Sequence, residues 1–270
     1  MKALRPFIWN SWEAKIMLKL LYTDIRNILF STGIKLCVLA SLAYLVGTVV
    51  ISEIILHYFN ATMNADQIVT VYPSISIFVV TAATLLIFIR EYSDGIIKNK
   101  MCSGAKRSSI FLSAVTSSAL IAFIMSAINQ IVSIGVALIL TEGFYNMTAA
   151  EIAWSFLENI IVSVAIAVFS TSLIMIMGGK NASYVIGLGI AFVFKIISME
   201  VADKLYPEKG LCQLTGLKLT LFTFYDRFVP YAHSDGMPRW GLGSTLAGSV
   251  GTIVLAMVIG LIVFRKKEIK

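Results

Sequence analysis

From Ser108 to Thr141 the chain runs 34 residues without a single Lys, Arg, Asp or Glu. A helix that crosses a bilayer needs about 20 mostly apolar residues. Further charge-free runs cover Leu36–Ser52, Gln67–Ile89, Asn159–Gly179 and Trp240–Phe264, and Asn181–Met199 is a sixth, interrupted only by Lys195. Of the 270 residues, 58% are hydrophobic and 14% charged, against about 25% charged in an ordinary soluble domain. In lipid every backbone polar group must be satisfied within its own element, which leaves helices for runs of this length. The expected fold is an all-α membrane protein of six transmembrane helices, at 34–56, 69–90, 109–140, 152–178, 182–200 and 241–264.

The segment before the first span is apolar but too charged to cross. At 100° per residue Met17, Leu18, Leu21, Ile25, Ile28 and Leu29 form one stripe, with Lys15, Lys19 and Arg26 beside it. That pattern predicts an interfacial helix whose basic side chains reach headgroups, with Trp9 and Trp12 as anchors. Residues 1–33 therefore read as a cytoplasmic tail and interfacial amphipathic helix, 34–264 as the transmembrane domain and 265–270 as a second tail.

Lys and Arg set the orientation. Lys15, Lys19, Arg26 and Lys35 precede or open span one. The loop after span two holds Arg90, Lys98, Lys100, Lys106 and Arg107, Lys180 follows span four, and the tail carries Arg265, Lys266 and Lys267. Loops 57–68 and 141–151 contain no Lys or Arg. Six spans with both termini cytoplasmic, in a plasma membrane, satisfy this distribution. The outer segment 201–240 is mixed in sign, and its apolar stretch Leu211–Phe224 is 14 residues long, short for a span. It reads as a re-entrant or short helical element.

The net charge of +7 does not point to nucleic acid, because the basic residues gather at the ends of apolar runs, where lipid headgroups lie. Catalytic signatures are missing. Gly179-Lys180 lacks the upstream glycine and following Ser or Thr of a phosphate-binding loop, and no H-E-x-x-H helix occurs. His57 and His233 are expected at or beyond the outer surface, without a serine partner. Cys37, Cys102 and Cys212 show no metal spacing. No catalytic, cofactor or metal residue is assigned.

Ionisable residues within spans are costly and often functional. Glu53, Glu158 and Lys195 are the candidates for a pathway or bundle interior. The carboxylates are expected near interfaces with water in reach, and Lys195 either reaches the outer interface or pairs inside the bundle. Gly243, Ala247 and Gly251 follow the small-xxx-small spacing of helix-packing faces.

The loop from Arg90 to Arg107, REYSDGIIKNKMCSGAKR, carries the most information. Glu91 and Asp94 are followed by Lys98 and Lys100, Gly95 and Gly104 break the chain, and Ile96 and Ile97 form an apolar patch, so that the residues alone read either as an element docking onto a soluble partner or as a solvated linker. The run from Glu91 through Lys100, with Ser103-Gly104 and Lys106-Arg107, resembles the coupling loop of bacterial ABC-2 type ABC transporter permeases. The interfacial helix, six spans and outer segment are similar to that family over residues 11–264. The resemblance implies an ATPase-coupling loop at 91–107, a separate ABC ATPase subunit that uses ATP and Mg, and a second membrane subunit, identical or paralogous. It further implies export of a hydrophobic or amphipathic compound such as a peptide, antibiotic or lipid. A secondary transporter or channel, or a non-transporting accessory subunit, is the alternative.

Overall fold

The computed structural model describes residues 11–59, 61–141, 143–145, 147–179, 182–207, 212–233 and 242–267, with side chains from Met17 onward. Trp9, Lys180 and Leu211 lie outside the described residues, as do the side chains of Trp12 and Lys15 and all of 208–211 and 234–241. Among the described residues there is no strand. In chain order the helices are α1 (Ser11–Leu29), α2 (Thr32–Tyr58), α3 (Ala65–Ser93), α4 (Ile96–Cys102), α5 (Arg107–Leu140), α6 (Ala149–Met177), α7 (Ala182–Leu205), α8 (Gly216–Phe228) and α9 (Leu242–Lys266), with a 3₁₀ turn at Pro230–His233 before α9.

Six of these, α2, α3, α5, α6, α7 and α9, are long and apolar enough to cross a membrane. They match the six expected spans, with ends moved by a few residues. The largest extension is at a charged end, where α7 runs to Leu205 with Glu200 and Lys204 paired at 3.6 Å one turn apart; α3 is longer at both ends, from Ala65 to Ser93. The chain is a multi-pass, all-helical membrane protein.

α3, α5 and α6 form the centre. α9 packs on α6 and α5, α2 and α7 pack on α3, and α1 packs on α5. One apolar core, with Leu85, Phe88, Phe111, Met175 and Phe264, fills the end where α3, α6 and α9 finish and α5 starts. Others, around Tyr72 and around Ile166, fill the rest. Large apolar side chains such as Leu39, Ile51, Phe192 and Leu255 remain exposed on the outer faces of α2, α7 and α9, as lipid contact requires.

Helix ends are closed by side chains. Thr148 and Glu151 form a reciprocal capping box at the start of α6, the Thr148 amide donating to Glu151 Oε2 at 2.7 Å. At the basic end, Lys267 Nζ donates to the Ile176 carbonyl at 2.6 Å, and Arg107 donates to the carbonyls of Arg265 and Lys267. A cation thus sits at the carbonyl terminus of both α6 and α9, where the helix dipole favours it. At the opposite end, α8 and the 3₁₀ turn are tied to α7. Tyr225 donates to the Phe194 carbonyl (3.0 Å), Tyr231 stacks on Phe194 with centroids 4.6 Å apart, and Tyr206 donates to Asp226 (2.9 Å).

The expected packing stripe of α9 faces away from the other helices of the chain. Gly243, Ala247 and Gly251 are exposed, and a Cβ on Gly243 or Gly251 would meet nothing within 4 Å. The glycines that admit close approach are Gly248 and Gly260. A Cβ at Gly248 would lie 2.1 Å from the Phe228 carbonyl oxygen, and one at Gly260 would lie 2.6 Å from the Phe111 ring. Ala247 and Gly248 are neighbours about 100° apart on the helical wheel, and spacing alone does not choose between their faces. Gly248→Val is expected to lower thermal stability in detergent by about 1–3 kcal/mol through overpacking. Gly251→Val is expected to leave it unchanged, as read by melting of the purified chain.

Candidate functional site

Two buried clusters of ionisable side chains occupy opposite ends of the bundle. The first is built around the turn that joins α3 to α5. Gly95 has φ +68, the left-handed conformation that glycine adopts at no steric cost, and it reverses the chain between α3 and α4. Gly104, at φ +87, follows the seven-residue α4 in the same way. Ile97 and Lys100, three residues apart, share one helix face. That face points inward: Ile97 is buried in the core and Lys100 is 8% exposed.

Lys100 Nζ lies 2.6 Å from Asp24 Oδ1 and 2.8 Å from Glu91 Oε2. The Ser113 hydroxyl donates to Asp24 Oδ2 at 2.6 Å. One ammonium therefore ties α1 (Asp24), α3 (Glu91) and α4 together, and Ser113 adds α5. Burial alone would lower the affinity of Lys100 for its proton, but the charges and hydrogen bonds of Glu91 and Asp24 outweigh it and raise the pKa. The ammonium is held as a cation.

Three sequence expectations change here. Glu91 and Lys100 do not face a partner; they face each other. Ile97 is core, and Ile96, half-buried, is what remains of the apolar patch. The outward surface of the loop is Asp94, Lys98, Asn99, Cys102, Ser103 and Lys106, with Arg90 and Asp94 paired along it at 3.3 Å. Asp24 and Ser113 are not legible as site residues. The available signal is that Asp24 sits between Leu21 and Ile28, at the spacing of the buried face of α1.

The second cluster joins α6, the 3₁₀ turn and α9. His233 Nδ1 is 3.0 Å from Glu158 Oε1, the Thr245 hydroxyl donates to the same oxygen at 2.7 Å, and His233 Nε2 faces the Arg227 carbonyl at 3.2 Å. His233, Glu158 and Thr245 are all buried. Glu158 is thus not left to interfacial water, and His233 is inside the bundle, because Pro230–His233 folds back against α6 and α9. An acid, a histidine and a hydroxyl suggest a hydrolase triad, but the geometry excludes the relay. Carboxylate and hydroxyl both meet Nδ1, and Nε2, which would have to face a nucleophile, is taken by a carbonyl.

Buried polar side chains also pair between α2, α5 and α6. Ser41 donates to Asn129 at 2.9 Å and Asn159 reaches Gln130 at 3.5 Å, all of them buried. Gln130 Nε2 and the Ser163 hydroxyl are buried without a hydrogen-bond partner. The other candidates stand apart. Glu53 is exposed and accepts from the Met63 amide at 3.2 Å, and Lys195 is half-buried on α7. Among the described residues no cluster of His, Cys, Asp and Glu is suited to a metal ion.

Fold and clusters together define a polytopic helical membrane protein with an ion-locked turn at its basic end. No protein-family model and no curated protein matches the chain.

Removal of the Lys100 charge would leave two buried carboxylates uncompensated. Lys100→Met is expected to cost about 3–5 kcal/mol. The triple variant Asp24→Asn, Glu91→Gln, Lys100→Met is expected to recover most of it, as read by thermal unfolding in detergent. The pKa of Lys100 is raised above its usual 10.5. Its contribution is therefore complete below about pH 10.5 and lost only as the pH climbs through the higher folded value. The stability gap between wild type and Lys100→Met is expected to be flat from about pH 7 to 10 and to close beyond that.

Proposed function

We propose that this chain is the membrane-spanning permease subunit of an ABC-2 type transporter, exporting a hydrophobic or amphipathic compound from the cytoplasmic side of a bacterial plasma membrane. The observation that carries the reading is the ion-locked turn. A seven-residue helix at the basic end presents Lys98, Asn99 and Cys102 outward, with Lys106 just beyond it, while its inner face is bolted through Lys100 to α1 and α3, and through Asp24 to Ser113 of α5. A force applied by a soluble ATPase to that outer face is transmitted to three helices at once. A loop that merely connected two spans would need no such anchorage.

In this reading α1 lies at the cytoplasmic interface and α8 at the outer one. ATP and Mg are used by the partner ATPase. Two copies, or this chain and a paralogue, enclose a cavity whose access alternates with closure of the ATPases. An apolar groove of about 600 Å³ between α2, α3 and α7, walled by Phe78, Val79, Leu188 and Phe192, supports an apolar cargo.

Co-expression with an ABC ATPase, such as one encoded beside this gene, tests the reading. The two are expected to co-purify, and Lys98→Glu with Lys106→Glu is expected to abolish co-purification without lowering the melting temperature. Co-purification that survives the double charge reversal would place the contact elsewhere.

A second reading draws on the buried Glu158–His233 pair, a titratable unit inside the bundle of the kind that couples transport to a proton gradient. It predicts flux driven by the gradient in liposomes holding this chain alone, abolished by Glu158→Gln.

A further inference from the structure

Beside the ion-locked turn lies a cavity of about 550 Å³, unconnected to any expectation from the sequence. Its walls come from the last turn of α1, the start of α2, the end of α3 and the start of α4. The volume falls within the range of roughly 300–1,000 Å³ typical of small-molecule sites.

The lining carries both signs of charge and an apolar wall. Arg26 and Arg90 are the cations, Asp94 and Glu91 the anions, and Ile87 and Phe30 the apolar surface. These charges are not equally committed. Glu91 is held by Lys100 at 2.8 Å. Arg90 and Asp94 pair at 3.3 Å, but with side chains 67% and 50% exposed, and exposed pairs of this kind are worth about 0–1 kcal/mol. Both can turn to a ligand at small cost. Arg26, exposed on the last turn of α1, has no carboxylate partner among the described residues. The cavity therefore offers two guanidinium groups and one available carboxylate next to an apolar wall.

A simple anion would leave Asp94 facing it, and a simple cation would leave the arginines unanswered. A zwitterion with a phosphate and a primary ammonium a few bonds apart satisfies all three. Arginine pairs with phosphate through two parallel N–H donors, and a carboxylate accepts from the ammonium. We propose that this cavity binds an ethanolamine phosphate group, its phosphate on Arg26 and Arg90 and its ammonium on Asp94, with Ile87 and Phe30 receiving the glycerol end when the group belongs to a phospholipid. The cavity joins α1 to the loop surface at Asp94, so occupancy would brace the turn that Lys100 locks.

Purified full-length chain in detergent, titrated with phosphatidylethanolamine, phosphatidylcholine and phosphatidylglycerol of identical acyl chains and read by native mass spectrometry, tests the proposal. Equal chains cancel the apolar contribution. Wild type is expected to retain phosphatidylethanolamine roughly tenfold better than phosphatidylcholine, whose quaternary nitrogen has no N–H to donate. Asp94→Asn is expected to abolish that preference while phosphatidylglycerol binding persists, which shows in the same sample that the protein is folded. Arg26→Gln with Arg90→Gln is expected to weaken retention of phosphatidylethanolamine by at least as much. Soluble phosphoethanolamine added as competitor separates the two sources. Displacement of the lipid shows that the polar group suffices, and failure to displace it shows that the apolar wall is also required. Equal retention of phosphatidylethanolamine and phosphatidylcholine by wild type, or wild-type retention by the double arginine variant, would overturn the assignment.

Discussion

The shared contact of Lys100 with Asp24 and Glu91 decides the architecture of the basic end, because none of the pieces it joins could hold position alone. α4 has seven residues, well short of the roughly 12–15 at which an isolated helix becomes even marginal. It is fixed by two inward side chains, Ile97 in the core and Lys100 on the carboxylates. α1 is attached to α2 by a short turn at Phe30–Ser31 and otherwise rests on α5, with Asp24 and Ile28 as its buried contacts. Taking three charges out of water is costly, and only close geometry and further hydrogen bonds offset it. Ser113 supplies one such bond to the second Asp24 oxygen. The arrangement is expected to tolerate loss of the whole set better than loss of one member.

The opposite end is organised by a different device with the same logic. Glu158 is brought inside by His233 and Thr245, and His233 is brought there by a 3₁₀ turn that Tyr231 stacks against α7. Each end of the bundle thus contains a buried carboxyl group met by a residue from a non-spanning element, α4 on one side and the Pro230–His233 turn on the other. Those short elements are tied to the long helices by close polar contacts.

Much of this fold is legible in the sequence, because long charge-free runs leave the backbone one solution in lipid. All six spans follow from that. The site is less legible. Glu91 and Lys100 stand out in the loop, yet their direction depends on Asp24, whose other partner Ser113 is 89 residues away. On a helical wheel Asp24 falls inside the apolar stripe of α1, but nothing in the sequence names the cation that lets a carboxylate stay there. His233 sits in a segment of mixed charge, and only the apolar Pro230-Tyr231-Ala232 before it hints at burial. In α9 the small-residue spacing is real, but the close approach falls at Gly248 and leaves its neighbour Ala247 exposed. The Phe228 backbone makes that choice, and a contact from another helix leaves no trace in the periodicity of α9.

With one ammonium joining them, α1, α4 and the end of α3 are expected to move as one unit. Hydrogen–deuterium exchange on the full chain in lipid nanodiscs, comparing wild type with Lys100→Met, reads this directly. Exchange is expected to rise together in 21–29, 90–93 and 96–102, while the Glu158–His233 end is unaffected. An increase confined to 96–102, with α1 as protected as in wild type, would contradict it.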